Sequence, residues 1–425
     1  MPGWGPSLKT PLNRQQKLGF WAAWSGWVLD GMDSVIYALV LAPAMRELLP
    51  KSGIDPIPAN IAFTGSILFA MFLIGWGMSF IWGPLADRFG RAKCLAATIV
   101  MFSVFTGAAA FSENVWQLAL FRFLAGIGIG GEWAMAGTYV AESWPEDRRK
   151  QGAGYLQTGY YVGFFLAAAL NFTIGAEYGW RAMFLCGAAP LLVSIFTLAR
   201  VREPARWKEA KTRPVINPLA AIFSPAYLRR TVVNTALVSI AIIGLWAGTV
   251  YEPTAILSLA AKAGYTALQG TQLASLGTAI LSIGTIIGCL LLPGLAERWG
   301  RRKTLALYFC GMALCIVLAF GWAFHLPQGL QPFLIVLFFL GLAGGNFAMY
   351  SLWLPEQYPT EIRASAFAFC TSFGRFLGAG ANFAIAGLIQ WTGSLGSVIA
   401  LTAIPFVIGL AILPFALETK GKPLP

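Results

Sequence analysis

Five charged side chains stand inside stretches that are otherwise apolar and long enough to cross a bilayer: Asp30, Asp33, Arg122, Glu132 and Arg375. A charge at that depth costs about 2.5–3.5 kcal/mol even on lenient insertion scales, so each is expected to face a polar cavity and to carry function. Asp30 and Asp33 are three positions apart and share one helix face, with Gly31 between them to let a neighbouring helix approach. At about 1.5 Å per residue, Asp33 lies roughly 12 Å below one end of its helix, and Arg122 descends from the same side to roughly 9 Å. The depths match, so an Asp33–Arg122 pair is expected, with Asp30 beside it. Such a pair keeps the arginine neutralised while the cavity is empty, and protonation of the carboxylate frees it. Glu132 sits deeper on Arg122's helix and is a further candidate proton carrier. Arg375 lies about 15 Å into its own helix, near the midplane, with no acid in that helix to neutralise it. Its planar fork suits bidentate capture of a carboxylate, and the competing reading is a structural pair with an acid on another helix. Asn346 and Tyr350 on one further predicted span, and Trp246 and Tyr251 on another, are expected to add polar and aromatic contacts to the same anion. Glu252, next to Pro253 at the external end of the seventh predicted span, is a weaker candidate of the same kind as Glu132, with solvation as the competing reading.

These residues need a membrane-spanning frame, and the composition supplies it. Hydrophobic residues make up 57% and charged residues only 11% of the 425, against roughly 25% charged in a soluble domain. Twelve apolar windows are predicted as helices, each near the roughly 20 residues that a span requires. They fall near Leu18–Leu41, Ile61–Trp82, Cys94–Phe111, Trp116–Val140, Gly152–Ile174 and Arg181–Ala199, then Thr231–Ala255, Leu273–Pro293, Thr304–Phe324, Leu330–Leu354, Ser365–Trp391 and Gly396–Leu417. Gly126, Gly128, Gly130 and Gly131 in the fourth window read as a close-packing surface rather than a ligand site. The polar opening segment runs straight into a full-length span and does not read as a cleaved signal. The six cysteines show no metal-ligand spacing and are expected as free thiols, with no metal and no cofactor.

The net charge of +12 does not point to nucleic acid, because of where the charge sits. Of the 30 Lys and Arg, 24 fall in the tails and alternate loops of one side, and the other side holds only Arg46, Lys51, Arg181 and Lys262. By the positive-inside rule both termini are then cytoplasmic, in a plasma membrane of bacterial inner-membrane type, and the basic loops face membrane lipid. The longest polar connection, residues 200–230, divides the chain into a first bundle, 1–199, and a second, 231–425.

The two halves repeat. Gly83-Pro-Leu-Ala-Asp87-Arg88-Phe-Gly90-Arg91 aligns without gaps on Pro293-Gly-Leu-Ala-Glu297-Arg298-Trp-Gly300-Arg301, and Glu142-Ser-Trp-Pro145 to Arg149 aligns on Glu356-Gln-Tyr-Pro359 to Arg363. Two independent motifs at nearly one period indicate duplicated six-helix halves. The loop pattern Gly-x-Leu-Ala-Asp-Arg-x-Gly-Arg resembles the signature of the major facilitator superfamily, over essentially the whole chain. Three further stretches resemble the sialate:proton symporters and their monocarboxylate-transporting relatives: Ala22 to Asp33, Gly131-Glu132 with Thr138 to Pro145, and Gly179-Trp-Arg181-Ala-Met-Phe. Asp30-Gly-x-Asp33 also resembles the aromatic acid:proton symporters, and Pro355 to Arg363 is similar to sugar and organic-ion porters. The Thr371 to Arg375 stretch looks like the eleventh helix of organic anion transporters. Sialate symporters of the best-known type carry two extra helices between the halves, for which 200–230 is too short and polar, so smaller carboxylates are expected here.

The resemblance implies an all-α polytopic membrane protein, with twelve helices in two pseudo-symmetric bundles and a cavity lined by the first and fourth spans. It also implies alternating access, in which Gly83, Asp87, Arg88, Gly90, Arg91, Glu142, Glu297, Arg301, Glu356 and Arg363 lock one of two rocking states. Gly83 and Gly90 are expected to permit a tight turn. The function expected is proton-coupled symport of a small organic carboxylate by a monomer, with Arg375 and Arg122 on the anion and Asp30, Asp33 or Glu132 carrying the proton. A uniporter or exporter of the same fold for a neutral or drug-like substrate is the alternative. The fifth span has no proline, which argues against an exporter, and the short tail after Leu417 argues against a receptor. No catalytic set is present in the sequence to make it an enzyme.

Overall fold

The structure is a computed structural model that describes residues 10–210 and 217–425. Those residues form helices and loops with no strand among them. In the first half the spans are α1 (Arg14–Lys51), α2 (Pro58–Met78, continued by Trp82–Phe89), α3 (Arg91–Ala109), α4 (Val115–Ser143), α5 (Glu146–Leu170) and α6 (Glu177–Arg200). In the second they are α7 (Leu228–Lys262), α8 (Ala267–Trp299), α9 (Arg301–His325), α10 (Leu330–Gln357), α11 (Arg363–Thr392) and α12 (Leu395–Phe415). Nine helices among the described residues are long and apolar enough to cross a membrane, and α1, bent by 65° at Pro43, makes a tenth. The other two, α5 with 25 residues and α7 with 35, are long enough but carry polar residues such as Gln157, Asn234 and Glu252.

Polar side chains start the helices. Asn13 and Gln16 at α1, and Thr266 and Gln269 at α8, form reciprocal capping boxes that satisfy otherwise orphaned N–H groups. Gly90 at φ +123° and Gly300 at φ +89° stop α2 and α8 in a backbone region that a side chain would strain, so that α3 and α9 can turn back. Behind each of these turns stands a glutamate that follows the last helix of its half. Glu203 accepts from the N–H groups of Arg91 (2.6 Å), Ala92 (3.1 Å) and Lys93 (3.1 Å). Glu418 accepts from those of Arg301 (3.0 Å) and Arg302 (3.1 Å). The sequence comparison aligned the turns but not these two acids.

Small residues set the helix spacing. A side chain at Gly31 would come within 2.0 Å of the Tyr160 carbonyl oxygen, and one at Gly163 within 2.0 Å of that of Val28, so α1 and α5 meet backbone to backbone. The α4 glycines serve the same end: Gly126 rests on the Phe72 carbonyl of α2 and Gly128 on the Phe102 amide of α3. Gly83 is not part of the turn, contrary to the expectation above. It lies inside the helical continuation of α2, where the Ser365 backbone of α11 approaches so closely that a methyl group would stand 2.4 Å from Ser365 Cα.

The Gly163→Leu variant should force α1 and α5 apart and lose about 1–3 kcal/mol of stability, the usual cost of overpacking. Gly294→Ala, where a methyl group meets nothing within 4 Å, should leave thermal unfolding in detergent unchanged. Equal melting of the two variants would contradict this account of the α1–α5 contact.

Candidate anion and proton site

Arg375 projects from α11 into a small cavity between the halves. Its side chain is 3% exposed, and Nε and Nη1 have no hydrogen-bond partner. Among the described residues no acid forms an ion pair with it. Its guanidinium lies 3.9 Å from the ring centre of Trp76 and 6.0 Å from that of Trp133, and cation–π attraction to these faces stands in for an anion. Trp27, Tyr160, Tyr161 and Phe347 complete the aromatic walls, and Gln157 supplies a polar one. Trp27 stacks on Trp133 at 5.8 Å between ring centres, and Trp133 Nε1 donates to Ser351 Oγ at 2.9 Å across the two halves. The free space is about 10 Å³, room for roughly one water. An anion can reach Arg375 only when the surrounding helices separate.

The pair expected from helix depth is present. Arg122 Nη1 lies 3.1 and 3.4 Å from the two carboxylate oxygens of Asp33, with both side chains fully buried. The guanidinium also sits 4.3 Å from the Phe72 ring centre and 4.9 Å from that of Tyr37, while its Nε and Nη2 remain without partners. Asp30 and Glu132 are buried with all four carboxylate oxygens unpartnered. Asp30 is within electrostatic reach of Glu132, Asp33, Arg375 and Arg122, so it links the two arginines. Glu132 faces α1 directly, since a methyl group at Gly26 would stand 2.4 Å from its Oε1.

A second buried network closes the face that carries most of the basic residues. Arg91 donates through Nε and Nη2 to Glu142 (both 3.0 Å) and through Nη1 to the Ala86 carbonyl (2.8 Å). The second half repeats this: Arg301 donates to Glu356 at 2.9 and 2.7 Å and to the Ala296 carbonyl at 3.3 Å. Cross-links then join the halves. Arg363 Nη1 donates to Glu142 (2.8 Å), and Arg91 Nη2 donates to the Thr360 carbonyl (2.6 Å). Asp87 accepts from Ser365 N (3.0 Å) and Oγ (2.6 Å) at the start of α11, and Ser79 Oγ lies 2.7 Å from Ser372 Oγ. Burial works against the charge of Glu418, but the N–H groups of Arg301, Arg302, Lys420 and Thr419 hold its carboxyl below the ordinary range. The stability it contributes is therefore present above the usual carboxylate pKa and is lost only as pH falls below that range.

A sequence profile described as Major Facilitator Superfamily matches residues 23–294, and one described as Sugar (and other) transporter matches 257–425. The chain belongs to the major facilitator superfamily. A probable 4-methylmuconolactone transporter of Cupriavidus pinatubonensis is 30% identical over 96% of this chain and 92% of its own length. The niacin transporter NiaP of Acinetobacter baylyi is 26% identical over 97% of each chain. The solved structure of the proton:xylose symporter XylE superposes with a TM-score of 0.80 at 19% identity, covering 96% of this chain and 98% of that one. This protein is accordingly a membrane transporter and not an enzyme.

Within this superfamily frame the other expected site residues have partners of their own. Tyr350 is buried, but its hydroxyl donates to the Leu237 carbonyl at 2.8 Å, which makes it a strut between α10 and α7. Tyr251 is half-buried and packs near Ile385 and Val398 as well as against the main core. Asn346 is fully buried beside the break in α10; its amide donates to Ala343 and its Oδ1 has no partner. The side chain of Trp246 lies outside the described residues. Glu252 is not solvated: it is 1% exposed, accepts from Thr278 Oγ1 at 3.2 Å and leaves Oε1 unpartnered. Arg88 is exposed over Phe89 and takes no part in the buried network, and Glu297 is exposed and pairs with Lys150 of α5. Sequence reading missed the aromatic box of Trp27, Trp76, Trp133 and Tyr160 with Gln157, because aromatic residues in apolar helices carry no spacing signal.

Removing one partner of a fully buried ion pair leaves the other charge uncompensated, at a cost of about 3–5 kcal/mol. Asp33→Asn should therefore lower the unfolding midpoint markedly, and Asp33→Asn with Arg122→Gln should restore part of the loss. A double variant no better than the single one would show that the two side chains are not coupled.

Proposed function

We propose that this transporter is a proton-coupled symporter of a small organic carboxylate, working by alternating access between a bundle of residues 1–199 and one of residues 231–425, joined by the connection 200–230. The observation that carries this reading is Arg375: a buried cation in an aromatic box with Nε and Nη1 free and, among the described residues, no ion pair to an acid. The basic face is the cytoplasmic one, supported by the count of 24 Lys and Arg against 4 on the two sides. The basic-face network is then the cytoplasmic gate, shut in the state described.

With Asp33 paired to Arg122 and a proton on each of Asp30 and Glu132, the site keeps one net positive charge on Arg375. A monocarboxylate admitted from the outer side brings it to neutrality, which lowers the cost of closing the cavity around it. On the cytoplasmic side Asp30 gives up its proton and its carboxylate competes for Arg375, so the anion leaves with the proton. A relative named for niacin, itself a ring carboxylate, supports this substrate class.

Uptake of labelled nicotinate, benzoate, lactate and sialic acid into proteoliposomes, with and without an acid-outside gradient, tests the proposal. At least one carboxylate should accumulate only with the gradient. Arg375→Lys should cut that uptake about tenfold, because a point charge replaces a bidentate fork. Accumulation that ignores the gradient, or that survives Asp30→Asn, Asp33→Asn and Glu132→Gln together, would sink the coupling scheme. The Ser79–Ser372 contact gives a separate test of alternating access: oxidising the S79C/S372C variant should stop uptake, and reductant should restore it.

A further inference from the structure

A groove opens on the basic face where the α8–α9 turn meets the end of α12, enclosing about 470 Å³. Arg302, Lys303 and Lys420 line it together with Trp299, Leu410 and Leu413. Among the described residues none of the three cations forms an ion pair with an acid. The one acid in the groove, Glu418, is turned to the N–H groups of Arg301, Arg302, Thr419 and Lys420, and it stands as one carboxylate against three cations. Lys420 Nζ donates to the Arg298 carbonyl at 3.0 Å, which folds the tail against the turn. The groove therefore holds an excess of positive charge beside an exposed tryptophan, at the level where spans leave the bilayer.

Two apolar stripes run from this groove towards the middle of the membrane. On α9, Lys303 is followed at helical spacing by Leu307, Cys310, Leu314 and Val317, all exposed. On α12, Val407, Ala411 and Pro414 are exposed in the same way. The two helices are held side by side by Phe309 against Phe406, with ring centres 5.3 Å apart. A cationic head position continuous with two lipid-facing apolar tracks has the shape of a two-chain lipid.

We infer that this groove is a binding site for a glycerophospholipid with a net negative headgroup, drawn from the leaflet on the basic face. Arg302, Lys303 and Lys420 hold the phosphate, Trp299 packs at the glycerol level, and the acyl chains follow the α9 and α12 stripes. Between Gly300 and Arg302 in the wall of this groove stands Arg301, which turns inward to Glu356, so an occupied groove braces the second-half arm of the basic-face network.

Native mass spectrometry of the detergent-purified protein, titrated with dioleoyl phosphatidylglycerol or dioleoyl phosphatidylcholine, tests the site. One phosphatidylglycerol should be retained in preference to phosphatidylcholine. The R302Q/K303Q/K420Q variant should lose about tenfold or more of that retention, while R202Q/K208Q/R229Q, which removes three exposed cations elsewhere, should keep it. Thermal unfolding of both variants checks folding, and Lys303→Gln alone, at an exposed position, replaces the triple variant if that one does not fold; it should then weaken retention measurably. Equal retention of the two lipids, equal losses in the two triple variants, or unchanged retention in the groove variant would overturn the assignment. Displacement of the lipid by inorganic phosphate alone would overturn it in favour of a soluble anion site.

Discussion

A charge in hydrocarbon must find an opposite charge, a ring of hydrogen bonds or water, and this requirement organises the protein. Arg122 meets it with Asp33 and two aromatic faces; Arg91, Arg301 and Arg363 meet it with Glu142 and Glu356. Arg375, which forms no ion pair among the described residues, meets it chiefly with the faces of Trp76 and Trp133. The asymmetry has a physical meaning, because cation–π contact stabilises a guanidinium by roughly 2 kcal/mol when desolvated, less than a well-placed carboxylate supplies. An arginine held this way is kept in place with Nε and Nη1 free, which is the ground on which we propose it for the substrate anion. The pairing rule thus separates residues that hold the frame from the one left open to a ligand.

Duplication explains much of the frame and also where the halves part ways. Arg91, Glu142 and the Ala86 carbonyl are matched in the second half by Arg301, Glu356 and the Ala296 carbonyl, with Glu203 and Glu418 behind the two turns. Asp87 and its counterpart Glu297 break the symmetry. Asp87 reaches the start of α11 and is buried, whereas Glu297, on a side chain one methylene longer, faces Lys150 in solvent. At this repeated position one link between the halves is therefore dry and the other is wet. Surface pairs of the second kind contribute little to stability, so on the second-half arm the halves are joined chiefly by Arg149, which reaches the buried Glu356 at 3.5 Å.

The fold was legible because hydropathy and charge asymmetry act on whole helices: twelve apolar windows, two repeated loops and the depth match of Asp33 with Arg122 each follow from counting residues. The helix ends were less so. The fifth span begins at Glu146 rather than Gly152, because Pro145 and two acids in the first turn can start a helix in the aqueous border. Side-chain direction was the least legible. Tyr350 turns its hydroxyl to a backbone carbonyl of α7, and Tyr251 packs around Ile385 and against the main core, neither of which the linear pattern names. Glu252 reads as a helix-end charge in the chain and is buried in the fold, where Thr278 Oγ1 of the neighbouring helix donates to its carboxylate. Depth along a helix follows from position, while azimuth depends on neighbours that the linear pattern does not name.

The glycines of α4 have a mechanical result. With Gly126 seated on the Phe72 carbonyl and Gly128 on the Phe102 amide, α4 meets the backbones of α2 and α3 directly at those two points, and Gly130 lets the side chains of Trp76 and Ser79 close over it. Such a slab has little room to shear. Arg122 and Glu132, ten positions apart on α4, ride on it as fixed points of one lever, and Trp76, which lies under the Arg375 guanidinium, rides on it too. Any tilt of that lever carries the floor of the aromatic box away from the arginine that rests on it.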